Sequence, residues 1–151
     1  MIVEPRVVAY INSLDSGNSD ICNLIEKEAL NDNVPIIRKE MGNLLKVLIA
    51  LKQPERILEV GTAVGYSSIL MSENMPENCH ITTIENYDKR IPVAKNNFIR
   101  AGVIDKITLI EGDAADVLKT LDGPFCENGR LQIMKKELHT NYLVQQLHHT
   151  H

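Results

Sequence analysis

The chain has 151 residues, of which 44% are hydrophobic and 24% charged, which is typical of one soluble globular domain. The formal net charge of -4 predicts no overall basic surface, so a nucleic-acid partner would need a local basic patch that the total charge does not reveal. Because no run of about 18 apolar residues occurs and Glu4 and Arg6 interrupt the first apolar segment, the sequence predicts neither a membrane span nor a signal peptide.

Three amphipathic helices are predicted before residue 53. Pro5 opens the first, which ends at Ser16-Gly17-Asn18, and Ser19 is the expected N-cap of the second. The third is expected from Lys39 to Leu51. We expect their apolar faces to be core or dimer contacts. The residues at helical spacing are Val7, Val8, Ile11 and Leu14; Ile21, Leu24, Ile25 and Leu30; and Met41, Leu44, Leu45, Leu48 and Leu51.

From Arg56 onwards, apolar strands alternate with helices three times. This alternation predicts a parallel sheet with right-handed crossovers, an α/β fold of the Rossmann-like type. The predicted strands are 56–60, 80–84 and 106–110, and the predicted helices are 66–74, 87–101 and 114–121.

The first predicted strand ends in a glycine loop that runs from Glu59 to Ser67. Gly61 and Gly65 allow a sharp turn and a close approach of the backbone to a ligand. The next helix presents free amide groups and the positive end of its dipole, which suit an anion. Two glycines after a strand also occur in ordinary tight turns.

Acidic residues stand at the ends of the next two strands. Glu85 follows Ile84 directly, where a carboxylate can accept hydrogen bonds from both ribose hydroxyls of a nucleotide. The alternative is a solvated strand-end side chain outside the core. Asp113 can accept a hydrogen bond from an adenine amino group or cap the following helix. Since open α/β sheets bind ligands beyond the carboxyl ends of their strands, the three clusters together favour a nucleotide cofactor.

The string from Ile57 to Ser67 is similar to the first motif of class I S-adenosylmethionine-dependent methyltransferases. Its glycine spacing differs from the dinucleotide pattern G-x-G-x-x-G, and Glu59 precedes the first glycine by two. It resembles the cation-dependent O-methyltransferases, which include catechol and caffeoyl-CoA methyltransferases and bacterial enzymes that methylate hydroxyuridine in tRNA. The resemblance covers residues from about 20 to 125. Further matching segments are Val34–Ile37, Ile91–Lys95 and Ile110–Ala115.

This resemblance implies that S-adenosylmethionine is the cofactor and that the acceptor is a hydroxyl of a small aromatic molecule or of a tRNA nucleoside. It assigns no catalytic residue, and it implies cofactor contacts for nine positions. They are Ile37 on the N-terminal side of the pocket, Glu59, Gly61, Thr62 and Gly65 around the methionine part, Ser67 at its carboxylate, Glu85 at the ribose, and Asp113 and Ala114 beside the adenine.

After Phe125 the sequence departs from the family pattern. The family continues with a strand of the type D-F-I-F-x-D-A, whose last aspartate binds a divalent cation, magnesium, and a later Asp-Asn pair completes that site. No aspartate follows Asp122 here, so we expect no metal ligands, a truncated enzyme and an incomplete sheet with an open edge. We expect a helix from Lys135 to Leu147. The tail histidines, which we do not expect to bind metal at a fraying chain end, are His139, His148, His149 and His151.

The predicted organisation is an N-terminal helical segment (1–52), a cofactor-binding Rossmann-like half-domain (53–125) and an atypical tail (126–151). The predicted function is methyl transfer from S-adenosylmethionine to a hydroxyl. The alternatives are a non-catalytic cofactor-binding remnant and an interaction module, with a homodimer formed through the helices. Cys22, Cys79 and Cys126 are too far apart to predict a disulfide framework or a zinc site, so free thiols in a cytoplasmic protein are expected.

Overall fold

The computed structural model describes residues 5–13, 17–121, 130–135 and 142–145. Within them, helices and strands alternate after an N-terminal run of helices, and a short 3-10 helix, which the sequence did not predict, spans Ile104–Lys106. In chain order the elements are α1 (Pro5–Ser13), α2 (Asp20–Asn31), α3 (Lys39–Lys52), β1 (Arg56–Val60), α4 (Tyr66–Ser72), β2 (His80–Glu85), α5 (Ile91–Arg100), β3 (Ile107–Glu111), α6 (Ala114–Thr120), β4 (Arg130–Lys135) and β5 (Tyr142–Gln145).

The strands form one sheet in the order β3-β2-β1-β4-β5. The first four are parallel, and β5 runs antiparallel to β4. Val60 lies opposite Ile84 and Glu85 lies opposite Glu111, so the ends of β1, β2 and β3 meet at one edge of the sheet. We call this the carboxyl edge. It brings together the three polar clusters that the sequence placed after successive strands.

Part of the tail forms sheet, which corrects two expectations. The edge of β1 is not open, because β4 pairs with it from Arg56 opposite Arg130 to Val60 opposite Met134. The helix predicted from Lys135 to Leu147 is wrong, since Tyr142–Gln145 is the strand β5. The backbone groups along β1 and β4 need hydrogen-bond partners, which β4 provides for β1 and β5 provides for β4, and this requirement outweighs a weak helical spacing of apolar residues. The tail histidines and Cys126 lie outside the described residues.

The helices α2, α3 and α4 and the sheet share one hydrophobic core. The predicted faces of α2 and α3 are only partly in the core: Ile25 and Leu45 are buried as predicted. The leucines that are exposed in the single chain, for which dimer contact stays a prediction, are Leu24, Leu30, Leu44 and Leu51, the last by 79%. Leu14 and the side chains of Val8 and Ile11 are not among the described parts. The fully or nearly fully buried residues of α2 and α3 are Cys22, Ile25, Ala29, Gly42, Leu45 and Ile49.

Helix boundaries follow local capping chemistry. Ser19 caps α2 as predicted, because its hydroxyl accepts a hydrogen bond from the Cys22 amide. The helix expected from Tyr87 begins only at Ile91, because Tyr87 to Arg90 forms a turn and Pro92 lies in the first helical turn. Across the described parts of the chain, no helix has both the length and the apolar character of a membrane span.

We expect the thiols of Cys22 and Cys79 to resist labelling in the folded protein. Both side chains are buried, and burial, with smaller contributions from Glu73 and Glu26, raises the pKa of Cys22 to about 12. Ellman's reagent at pH 8, applied to a Cys126→Ser background, should react only after guanidinium is added. Because the pKa of Cys22 is higher in the folded than in the unfolded protein, the buried neutral thiol contributes fully to the free energy of unfolding below about pH 9. This contribution is lost as the pH rises from about 9 towards about 12. Rapid labelling in native buffer would contradict the burial of Cys22 on α2 or of Cys79 just before β2.

Candidate cofactor-binding site

The glycine loop after β1 folds back over the end of β2. The amides of Gly61 and Thr62 both donate to the carbonyl of Ile84, at 2.9 and 3.2 Å. The Gly65 amide donates to the Thr62 carbonyl at 2.9 Å and closes the turn. Gly61 has φ 92° and Gly65 has φ 86°, conformations that favour glycine. Ala63 also has a positive φ, 51°, which is uncommon for a residue with a side chain and marks stored backbone strain.

The loop packs directly on α5 at Gly65. A methyl group added at Gly65 would lie 2.5 Å from Cε1 of Phe98, a fully buried ring. Glycine is therefore required here for two reasons, the backbone conformation and the close approach of the aromatic ring.

Glu59, at the end of β1, has a buried carboxylate that is only 1% exposed. Its Oε1 accepts a hydrogen bond from the Ser67 hydroxyl, and its Oε2 accepts from the Ser68 and Thr83 hydroxyls, the latter at 2.7 Å. Among the described residues, no lysine or arginine pairs with this carboxylate. A buried carboxylate held only by neutral donors attracts a positively charged ligand, because charge is costly to bury without a counter-charge.

The proton directions in this network follow from the donor inventory. The Thr83 hydroxyl gives its single proton to Glu59, so the Thr62 hydroxyl, 2.6 Å away, must donate to Thr83. The Ser67 hydroxyl likewise gives its proton to Glu59. Binding of a ligand carboxylate by Ser67 stays a prediction. If the Ser67 hydroxyl is to donate to that carboxylate, its proton must turn away from Glu59 and towards the ligand.

Glu85, at the end of β2, is 4% exposed, so the expectation that it lies outside the core is wrong. Its Oε2 accepts from the Ala63 amide at 2.7 Å, and its Oε1 accepts from the amides of Asn86 and Tyr87. Three backbone donors leave roughly one of the carboxylate's about four acceptor positions for a ligand hydroxyl. Glu85 therefore anchors the glycine loop as well as standing where a ribose is expected.

The end of β3 joins the same edge. The Gly112 amide donates to the Glu85 carbonyl at 2.9 Å. Asp113 is exposed and caps α6, because its Oδ1 accepts from the Ala115 amide at 2.8 Å. Of the two alternatives for Asp113, helix capping and adenine binding, the structure has the helix cap. An adenine amino group would therefore use the other carboxylate oxygen, Oδ2. Ala114, half-buried, begins α6.

Ile37 lies on the N-terminal side, as part of the core. It lines a groove of about 430 Å³ together with Val34 to Glu40 and residues of α2. That groove contains none of the other residues predicted to bind cofactor, and a contact of Ile37 with the cofactor stays a prediction.

The sequence interpretation missed three side chains at this site, Ser68, Thr83 and Asn97. Thr83 and Asn97 are polar residues on buried faces: Thr83 shares a strand face with the buried Ile81, and Asn97 is on the α5 stripe with Ala94 and Phe98. A polar residue within an apolar stripe is the signal that could have identified them.

We find no group of three histidine, cysteine or acidic side chains able to hold a metal ion within the described ranges. The residues at the carboxyl edge therefore do not fit a divalent cation site by themselves, and no step of the proposed chemistry uses one.

The sheet order, the glycine loop and the carboxylates at the carboxyl edge define the class I methyltransferase fold. A family model for O-methyltransferases matches residues 17–133. The chain belongs to the O-methyltransferase family.

Its relatives include methyltransferases of known name and structure. A catechol O-methyltransferase of Niastella koreensis is 37% identical over 59% of this chain and 42% of its own length. One of Mycobacterium tuberculosis is 36% identical over 80% of this chain and 56% of its own. The SAH-bound methyltransferase of Podospora anserina superposes with a TM-score of 0.71 at 30% identity, over 79% of this chain and 53% of that one. The chain thus spans about half the length of the relatives it matches.

Proposed function

We propose that this chain binds S-adenosylmethionine at the carboxyl edge, and that the protein transfers the methyl group to a hydroxyl of a small aromatic molecule. The observation that carries the proposal is the Glu59 carboxylate, buried beneath the glycine loop with three hydroxyl donors and no cationic partner in the described chain. Glu85, buried at the next strand end, adds a second negative charge.

Charge favours this cofactor over other nucleotides. S-adenosylmethionine carries a sulfonium and an ammonium group, and two buried carboxylates stabilise positive charge in a region of low dielectric. A dinucleotide would instead bring a doubly charged pyrophosphate toward the same carboxylates. The loop also lacks the glycine spacing of dinucleotide-binding turns.

The two buried carboxylates have different parts in the proposed binding. Glu59 faces the methionine portion and Glu85 keeps about one acceptor position for a ribose hydroxyl. When bound, the cofactor would supply an electrophilic methyl group: the electron pair of the broken S–C bond would remain on sulfur, and the acceptor oxygen would form the new C–O bond and lose its proton. Orienting that oxygen against the methyl is the work of groups outside the carboxyl edge described here.

A small aromatic acceptor is favoured over tRNA. The named relatives are catechol O-methyltransferases, and the net charge of -4 offers no general attraction for a polyanion. A divalent cation, if the reaction uses one, needs ligands beyond those of the carboxyl edge. Free buried thiols at Cys22 and Cys79 fit a reducing compartment, and we place the protein in the cytoplasm.

We expect the chain to bind S-adenosylhomocysteine more tightly than NAD, because its ammonium group suits the buried carboxylates and it lacks the doubly charged pyrophosphate, for which the loop spacing is also unsuited. Isothermal titration calorimetry of the folded chain with each ligand measures this directly. Tighter binding of NAD would overturn the proposal. Binding of neither ligand would favour an interaction module, whereas cofactor binding without methyl transfer to catechol would identify a non-catalytic form.

A further inference from the structure

Asn97 is a buried amide on α5 that faces the glycine loop. Its side chain is 3% exposed, although asparagine is a poor helix former and a buried amide is costly unless it is hydrogen-bonded. The neighbouring Asn96 is exposed on the same helix. The burial of one asparagine and not the other shows that position 97 meets a specific polar requirement.

That requirement is the carbonyl of Val64, in the middle of the loop. The Asn97 Nδ2 donates to it at 2.9 Å. Val64 is itself buried and lies between two residues with positive φ, Ala63 at 51° and Gly65 at 86°. Without the amide this carbonyl would lose its donor in a strained and dehydrated turn.

Arg100 determines which way the Asn97 amide points. Its Nη1 donates to the Asn97 Oδ1 at 2.8 Å. A guanidinium has no acceptor, so the atom that faces it must be the amide oxygen, and the amide nitrogen must then face Val64. Arg100 also binds Glu28 of α2 through two bonds of 2.7 and 2.9 Å. This pairing lowers the pKa of Glu28 and raises the pKa of Arg100, so both remain charged at neutral pH.

We propose that Asn97 is a positioning residue for the cofactor loop, and that Arg100, held by Glu28, orients its amide. A continuous series of hydrogen bonds thus links Glu28 of α2, through Arg100 and Asn97 of α5, to the Val64 carbonyl. The inference rests on the proposed function only for the identity of the ligand. Its structural consequence, a loop fixed in the binding conformation before ligand arrives, is measurable in the ligand-free protein.

Asn97→Asp is the decisive variant. The carboxylate still accepts from Arg100 but has no proton for the Val64 carbonyl. We expect the loop amides that are hydrogen-bonded, Gly61, Thr62, Ala63 and Gly65, to exchange about tenfold faster, and S-adenosylhomocysteine to bind about tenfold more weakly, the effect of one lost hydrogen bond.

Two controls separate positioning from general destabilisation. Asn96→Asp makes the same change on an exposed turn of the same helix and should leave loop exchange and affinity as in the wild type. Ile57→Val removes one buried methyl group from the amino end of β1. It should lower stability and speed exchange uniformly, without singling out the loop.

Arg100→Met completes the test, because it leaves the Asn97 amide in place but frees its orientation. We expect loop exchange between that of the wild type and that of Asn97→Asp. The proposal would be overturned if the four loop amides of Asn97→Asp exchanged hydrogen at the wild-type rate. It would also be overturned if their exchange were accelerated no more than that of the strand amides. If wild-type protein fails to bind S-adenosylhomocysteine, the proposed function is wrong, and the exchange comparison alone decides the role of Asn97.

Discussion

Gly65→Ala is expected to destabilise the fold by about 2–5 kcal/mol and to abolish measurable cofactor binding, because the new methyl group both strains the backbone and overlaps Phe98. A side chain in the left-handed region costs about 1–2 kcal/mol, and overpacking a core adds about 1–3 kcal/mol. The overlap is with a fully buried ring, 2.5 Å from the added carbon, and such a ring cannot move aside cheaply. Thermal unfolding followed by circular dichroism, with calorimetric titration of S-adenosylhomocysteine, measures both effects.

Gly17→Ala is the matched control for this substitution. Gly17 has the same φ, 86°, but an added methyl group there meets no atom within 4 Å. Its cost should be the backbone strain alone, about 1–2 kcal/mol. Replacing the ring with the smaller leucine side chain in Phe98→Leu should recover part of the stability lost in Gly65→Ala. The double variant should then be more stable than the sum of the two separate losses predicts. Equal losses for Gly17→Ala and Gly65→Ala would contradict the packing of the loop on α5.

Glu59→Gln is expected to weaken cofactor binding by between about tenfold and a hundredfold, the range for hydrogen bonds to a charged group. The substitution keeps the volume of the side chain and removes the negative charge. Stability should fall by only about 1 kcal/mol, because the Ser67, Ser68 and Thr83 hydroxyls can rotate to accept from the new amide. Affinity for S-adenosylmethionine and S-adenosylhomocysteine, with the unfolding midpoint of each variant, gives the two quantities separately.

Glu111→Gln provides the comparison for Glu59→Gln. Glu111 also ends a strand, but its side chain is 55% exposed and pairs with Lys95 at 2.6 Å on the surface. Surface pairs of this kind contribute about 0–1 kcal/mol. Neither affinity nor stability should change much. A loss of affinity in Glu111→Gln as large as that in Glu59→Gln would mean that general surface charge, and not the buried carboxylate, attracts the ligand.

The parts of the fold with strong local signals were predictable from sequence. The strands β1 to β3 and the Ser19 cap follow from β-branched runs and a side-chain acceptor placed before an apolar repeat. The strand β4 was not predictable, because its formation depends on the free edge of β1, far away in the chain. Pairing across such a distance leaves no periodic signal in a short segment of mixed polarity.

The site was predictable as a set of positions but not as a set of bonds. Sequence spacing placed Glu59, the glycine loop and Glu85 at one edge, where the structure also has them. It could not show that Glu85 accepts backbone amides, nor that the Ser67 proton is directed to Glu59. These depend on side-chain contacts between β1, β2 and α4 that form only when the three elements pack together.

The order of the strands has a consequence for how the chain folds. The pairs β1–β2 and β2–β3 join neighbouring units, with Arg56 opposite His80 and Ile81 opposite Ile107, whereas β1–β4 joins Arg56 to the much more distant Arg130. Closing a longer loop costs more entropy and delays contact formation. We therefore expect the carboxyl edge to assemble first from successive strand–helix units, with β4 docking afterwards, so that ligand can speed the early phase of folding without affecting the late one.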